Sequence, residues 1–229
     1  MTGSESIPLQ PETIKAILWD VDGTLFSSEE IIHQIYQDCF SAYQKQHGVP
    51  AKIPTLPEIV AQIGKPVKAI FEALAPDISD EQRHELGLEI LDGLVQTLSN
   101  GGGHHYAGAP ETQRALHSKG YAVYGVSNGR LPYIEAILKA NGTFALFTAI
   151  PTIDNQTIHD KAGLVAHVLQ TAGLRPEQCV LIGDRTSDRD AARDNQVPFI
   201  AARYGHGAAE EWVGAAEHID APDDLLKLL

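Results

Sequence analysis

The segment "WDVDGTLFS" (19–27) sets Asp20 and Asp22 two positions apart at the end of an apolar run, with Gly23 and Thr24 directly after. Like charges this close raise the cost of ionising each other. A bound cation, a shared reaction or a solvated turn would each justify the pair. Four more polar residues stand at comparable points. Ser127 and Asn128 follow the apolar run "YAVYGV", Asp184 follows "CVLIG", and Lys161 opens a helical pattern before that last run. A carboxylate can attack phosphorus to form an acyl phosphate, and Asp20 is placed for that. A second carboxylic acid can protonate the leaving oxygen and then deprotonate water, which suits Asp22. A hard cation with oxygen ligands would hold the pair together and neutralise phosphate charge, with Asp184 adding another oxygen. Lys161 supplies fixed positive charge, and Ser127 a hydroxyl and nearby N–H groups for a phosphate oxygen. Aspartates without a thiolate or histidine cluster favour magnesium over zinc. An EF-hand is excluded: its twelfth loop position needs a carboxylate, and counting from Asp20 that position is Ile31.

These residues lie far apart in sequence, so the fold must bring them to one edge. "AILWDV" (16–21) is a short continuous apolar run ending in turn residues, as expected of a strand buried on both faces of a parallel sheet. "YAVYGVS" (121–127), "CVLIGD" (179–184) and "PFIAA" (198–202) read alike. Helical patterns fall at 110–118, 131–140, 160–171 and 187–195. The alternation predicts an α/β doubly wound parallel sheet, a Rossmann-like core whose sites form beyond the carboxyl ends of strands.

Residues 28–98 break the alternation. "SSEEIIHQIYQDCFSAYQKQ" repeats its apolar positions at helical spacing, and "KPVKAIFEAL" and "SDEQRHELGLEILDGLVQTL" are also helical. Ser27 with Glu30, and Ser79 with Gln82, read as capping boxes. The expected organisation is an α/β core over 1–26 and 104–229 with an inserted all-α module over 27–103. The glycines at 101–103 suit a hinge, and the adjacent His104 and His105 read as a solvated linker end.

Lys and Arg number 17 against 30 Asp and Glu, a net charge of −13 that opposes nucleic acid and anionic membranes as partners. An anionic substrate then needs a locally positive site. Cys39 and Cys179 are in no metal spacing and read as reduced thiols. The N-terminal segment has no basic and apolar signal pattern, and no apolar run approaches the ~18 residues of a membrane span. The chain reads as soluble and cytoplasmic.

Together these motifs resemble the haloacid dehalogenase superfamily, most closely its phosphoglycolate phosphatase-like members with a helical cap. "DVDGTL" is similar to its first motif, "VSN" (126–128) to its second, Lys161 to its third and "GDRTSDRDAA" (183–192) to its fourth. The resemblance runs from about residue 14 to 205. It implies Asp20 as nucleophile and Asp22 as acid/base. It also implies a magnesium ion held by Asp20, the Asp22 carbonyl and Asp184, with Asp188 beside the ion or orienting its water. Ser127, Asn128 and Lys161 would bind phosphate, and the substrate would be a small phosphorylated metabolite such as phosphoglycolate. The helical insertion resembles the family's cap, where "IGKP" (63–66) matches a loop facing the site, so Lys65 could reach a substrate anion. Lys161 is followed by alanine where the family often has proline. "GDRTSDRDAA" with "ARYGHG" downstream resembles a subset with nucleotidase-like members. A phosphomutase similar to beta-phosphoglucomutase keeps the same residues and is the alternative enzyme. A dehalogenase would leave Asp22 without a task, and a non-catalytic phosphate sensor would be expected to lose one of the two acids.

Overall fold

The computed structural model of the chain describes residues 6–48, 52–153 and 158–229. The central sheet has five parallel strands. In chain order they are β1 (Ala16–Trp19), then, after the ribbon strands β2 (Phe26–Ser27) and β3 (His104–His105), β4 (Ala122–Gly125), β5 (Cys179–Gly183), β6 (Phe199–Ala202) and β7 (Glu217–Ile219). Their spatial order is β4-β1-β5-β6-β7. The four longer strands fall where the apolar runs predict. β7, three residues with two exposed, has no comparable run and is not legible in the sequence.

Strand alternation explains why both faces are covered. From β1, Ile17 and Trp19 enter one apolar cluster, and Ala16 and Leu18 enter the other. The first face is packed by α5 (Ala109–Ser118), α6 (Leu131–Ala140) and the C-terminal α9 (Leu225–Leu228) through Leu116, Ile134, Ile137 and Leu225. The second is packed by α7 (Lys161–Ala172) and α8 (Thr186–Asp194) through Leu164, Val165, Val168 and Ala192. The doubly wound expectation is met. β1 pairs with β4 on one side and β5 on the other, so the chain changes its direction of travel across the sheet at β1. That is where open α/β sheets form their sites.

Between β2 and β3 lie α1 (Glu29–His47), α2 (Leu56–Val60), α3 (Val67–Leu74) and α4 (Asp80–Ser99). The apolar cluster of the first sheet face continues into them through Phe40, Tyr43, Ile59, Leu86 and Leu98. The Ser79–Gln82 capping box is present. The Ser27–Glu30 box is not: α1 starts at Glu29, Ser28 is its N-cap without a side-chain cap bond, and Ser27 belongs to β2. The Ser28 hydroxyl is used elsewhere, as described below.

β2 and β3 form an antiparallel ribbon that ties the two ends of the helical segment together, with Phe26 opposite His105 and Ser27 opposite His104. His104 and His105 are thus strand residues rather than a free linker; the His105 ring meets Phe26 edge-on and His104 lies near Glu30. The glycine run is also tighter than a hinge reading implies. Gly103 sits at φ +72°, and a Cβ there would lie 2.2 Å from Phe26 Cζ. Both facts require glycine. Cys39 and Cys179 are free thiols, the second buried.

Candidate active site

Three adjacent strands deliver the site. Asp20 follows β1, and its N–H still donates to Ile182 of β5 at 2.9 Å, so the sheet register holds it. Ser127 and Asn128 come just after β4, Asp184 directly after β5. The chain turns at once beyond Asp20: the N–H groups of Thr24, Leu25 and Phe26 all converge on the Val21 carbonyl. Gly23 makes that turn possible at φ +96°. A Cβ on it would meet the Asp184 carboxylate at 2.6 Å, so the turn can lie against that carboxylate only with glycine.

Asp20, Asp184 and Asp188 are all buried, and carboxylate oxygens of the three lie within 4.8 Å of one another. Lys161, 2% exposed, donates to Asp20 Oδ1 at 2.7 Å and to Asp188 Oδ1 at 2.5 Å. Asp188 also accepts from the Arg185 N–H at 2.9 Å, closing the first turn of α8. Asp184 accepts from the His206 N–H at 2.8 Å and from Thr24 Oγ1 at 3.3 Å. Asp20 Oδ2 finds no hydrogen-bond partner among the described residues.

Three buried carboxylates thus lie around one ammonium, which contacts Asp20 and Asp188 but not Asp184; with all three ionised the site would carry two negative charges in excess. The electrostatics follow from that excess. Burial raises the Asp20 pKa well above the carboxylate range; Lys161 opposes the rise, while Asp188 and Asp184 add to it. Burial, with Asp188, pushes Asp184 up to about 7. For Lys161, burial alone would lower the pKa, but Asp188 and Asp20 outweigh it and hold the ammonium above its ordinary range. A divalent cation would cancel the remaining charge, and these hard oxygens suit one. The donor set fits a divalent ion on these grounds.

Asp22 lies apart from this cluster. Its Oδ2 accepts from Ser28 Oγ and from the Tyr133 hydroxyl of α6, each at 2.9 Å. Its Oδ1 is buried without a hydrogen-bond partner among the described residues, and His206 Nε2 lies 4.0 Å away. The His206 ring is fixed from its other side, where Nδ1 meets Glu29 Oε1 at 2.9 Å. Burial raises the Asp22 pKa, against the opposing effects of His206, Ser28 and Tyr133. A carboxyl group that holds its proton more readily than usual, with one oxygen free, is what a proton donor needs.

The Ser127 hydroxyl accepts from the Gly129 N–H at 3.1 Å. Asn128 is committed elsewhere: its Nδ2 donates at 2.8 Å to the Gly64 carbonyl of the helical segment. The "IGKP" loop thus rests on the strand ends, as expected. Lys65 is exposed at the rim, with Nζ donating to Gln62 Oε1 at 2.9 Å.

The candidate site residues read from the sequence, Asp20, Asp22, Ser127, Asn128, Lys161, Asp184 and Asp188, are thus at this sheet edge, with Lys65 at its rim. Missing from that reading are Ser28, Tyr133, Glu29 and His206. Tyr133 and His206 reach Asp22 from 111 and 184 positions away, and only the fold reveals such contacts. Ser28 stands beside the first motif, but the capping box expected there names Ser27 instead.

The geometry agrees with what the comparisons find. A family model described as haloacid dehalogenase-like hydrolase matches residues 14–195. The chain belongs to that family, and the expected hydrolase is met. The 5'-nucleotidase of Pseudomonas aeruginosa is 28% identical over 204 residues, covering 85% of each chain. The phosphoglycolate phosphatase of Nitrosococcus oceani is 28% identical over 204 residues, covering 86% of each. Among solved structures, a haloacid dehalogenase-like family hydrolase from Streptococcus pneumoniae shares the fold at TM-score 0.75 and 22% identity, covering 95% of this chain and 99% of its own. Among the described residues no helix is long and apolar enough to cross a membrane.

Proposed function

We propose that this protein is a magnesium-dependent phosphatase that hydrolyses a small phosphate monoester through an aspartyl-phosphate intermediate. The observation that carries the reading is the buried Asp20–Asp184–Asp188 cluster with Lys161 bonded to Asp20 and Asp188, and Asp22 held separately beside it. Asp20, Asp184 and the Asp22 carbonyl would hold the ion, and Asp188 would sit next to it. When bound, magnesium cancels the excess carboxylate charge and polarises the phosphoryl oxygens.

Asp20 attacks phosphorus. As the P–O bond to the alcohol breaks, Asp22 gives its proton to the leaving oxygen, so a neutral alcohol departs. Asp22, now a carboxylate, takes a proton from water as that water attacks the aspartyl phosphate. Inorganic phosphate leaves and Asp20 is restored. Lys161 and the Ser127 hydroxyl meet the phosphoryl oxygens. Ser28 and Tyr133 keep one Asp22 oxygen engaged, which leaves the other for the leaving group. The names of two relatives, a 5'-nucleotidase and a phosphoglycolate phosphatase, fit a phosphate ester as substrate.

Residues 27–103 act in this reading as a cap over the strand ends. Contact between the Gly64 carbonyl and Asn128 supports that placement. Closure excludes water while the phosphoryl group is on Asp20. The test is phosphate release from a panel of monoesters with magnesium, for wild type and Asp20→Asn. Release by wild type alone is expected, and near-normal release by the variant would remove Asp20 from the mechanism.

A further inference from the structure

Over Asp20 and Asp22 lies a half-open cavity of about 100 Å³, walled mainly by the four helices of the inserted segment and floored by residues 127–133. Its deep walls are Ile32, Tyr36, Ile63, Phe71, Ile90 and Leu94, all buried. Two of these pairs, Ile32 with Tyr36 on α1 and Ile90 with Leu94 on α4, lie one helical turn apart and so present one apolar face each. The room comes partly from Gly87 of α4, where a Cβ would lie 3.0 Å from the Phe71 ring. At roughly 30 Å³ per water, the cavity takes a group of about three water-sized units.

Apart from the Tyr36 hydroxyl, polar groups are confined to the floor and the rim. Lys65, Gln62 and Arg130 also line the cavity, but Lys65 is solvent-exposed and bonded to Gln62. At the floor the Tyr133 hydroxyl is already given to Asp22. Among the deep walls a sugar's several hydroxyls would lose water and find only the Tyr36 hydroxyl as a partner, and a carboxylate there would lose still more. An apolar group loses nothing polar and gains burial.

Resting on the phosphatase reading above, we infer that the alcohol half of the ester is an apolar ring or short hydrocarbon chain housed in this cavity. The phosphate stays at the strand ends, and the rim cations Lys65 and Arg130 draw the dianion toward an otherwise acidic protein. The inserted helices then select by hydrophobic fit rather than by pairing a second charge.

The test is kcat/KM for methyl, propyl and pentyl phosphate and for phosphoglycolate, with magnesium. Each methylene added is expected to raise kcat/KM about three- to fourfold until the cavity is full, with phosphoglycolate no better than the methyl ester. Gly87→Ala, which pushes on the Phe71 ring, is expected to lower the pentyl-to-methyl ratio. The same esters are titrated into Asp20→Asn protein to read the cavity without chemistry. A series that is turned over but flat in chain length, or led by phosphoglycolate, overturns the inference and leaves the phosphatase reading intact. Binding that strengthens with chain length but no turnover by wild type overturns the phosphatase reading while supporting the apolar cavity. Flat binding overturns the inference whatever the turnover.

Discussion

Replacing Lys161 by methionine removes one buried positive charge and little volume. In the native site that ammonium faces Asp20 at 2.7 Å and Asp188 at 2.5 Å, with side chains no more than 3% exposed. Breaking a buried pair by removing one partner costs about 3–5 kcal/mol, because the other charge stays behind without compensation. Here two contacting carboxylates lose their partner, and Asp184 is a third nearby, so the upper half of that range is expected without metal. For a chain of this size, each kcal/mol lowers Tm by roughly 2–4 °C, which gives a drop of about 8–20 °C. The carboxylates can escape part of the cost by taking up protons. Their pKa values are already raised by burial, Asp184 to about 7. A raised folded-state carboxyl favours the fold below its ordinary pKa and loses that advantage as pH rises through the folded value. The Lys161→Met penalty should therefore be small near pH 5 and full near pH 8. Magnesium, by restoring positive charge, should narrow the gap to wild type at pH 8. The assay is thermal unfolding of both proteins in chelator at the two pH values, repeated with magnesium. Equal Tm values in chelator at pH 8, or a penalty that grows toward acid, would refute the charge-excess argument.

Asp184→Asn should raise the metal-free Tm near pH 8, because it deletes a buried charge that Lys161 does not contact, and should abolish the rise in Tm that magnesium gives wild type; calorimetry in chelator and in magnesium checks both. Lys65→Ala should raise KM for a carboxylate-bearing ester only modestly. The ammonium is exposed and held by Gln62, so about 0.2–1 kcal/mol, up to about fivefold, is expected rather than the larger value of a buried contact. Steady-state kinetics on phosphoglycolate and on a neutral-tailed ester distinguish the two sizes. Gly103→Ala places a Cβ in the Phe26 ring at φ +72° and should cost about 1–3 kcal/mol, read as a lowered denaturation midpoint.

Much of this arrangement is legible in the sequence because buried parallel strands leave continuous apolar runs, and three of the four such runs here end in a polar residue the site uses. Asp20, Asp184 and Ser127 are found that way. The helical segment is legible from its apolar spacing, down to the Ser79–Gln82 cap. Two features escape for physical reasons. β2 and β3 are two residues each and exist only by pairing with one another across the whole inserted segment, so neither carries a local signal. Ser28 has two competing uses, a helix cap and a donor to Asp22, and only the position of Asp22 decides between them. The apolar cavity escapes for another reason: its walls are ordinary helix-face residues, and sequence spacing does not reveal that Gly87 leaves a space between them.

The central claim is that Asp20 itself carries the phosphoryl group. Acid quenching of the enzyme during turnover of a good ester, followed by peptide mass spectrometry, tests it directly. Phosphate is expected on the carboxylate of the Asp20 peptide, accumulating further when Asp22 is replaced by asparagine while the first step is carried by an activated aryl ester. Turnover with no phosphorylated peptide in either protein, or with phosphate on another residue, would contradict it.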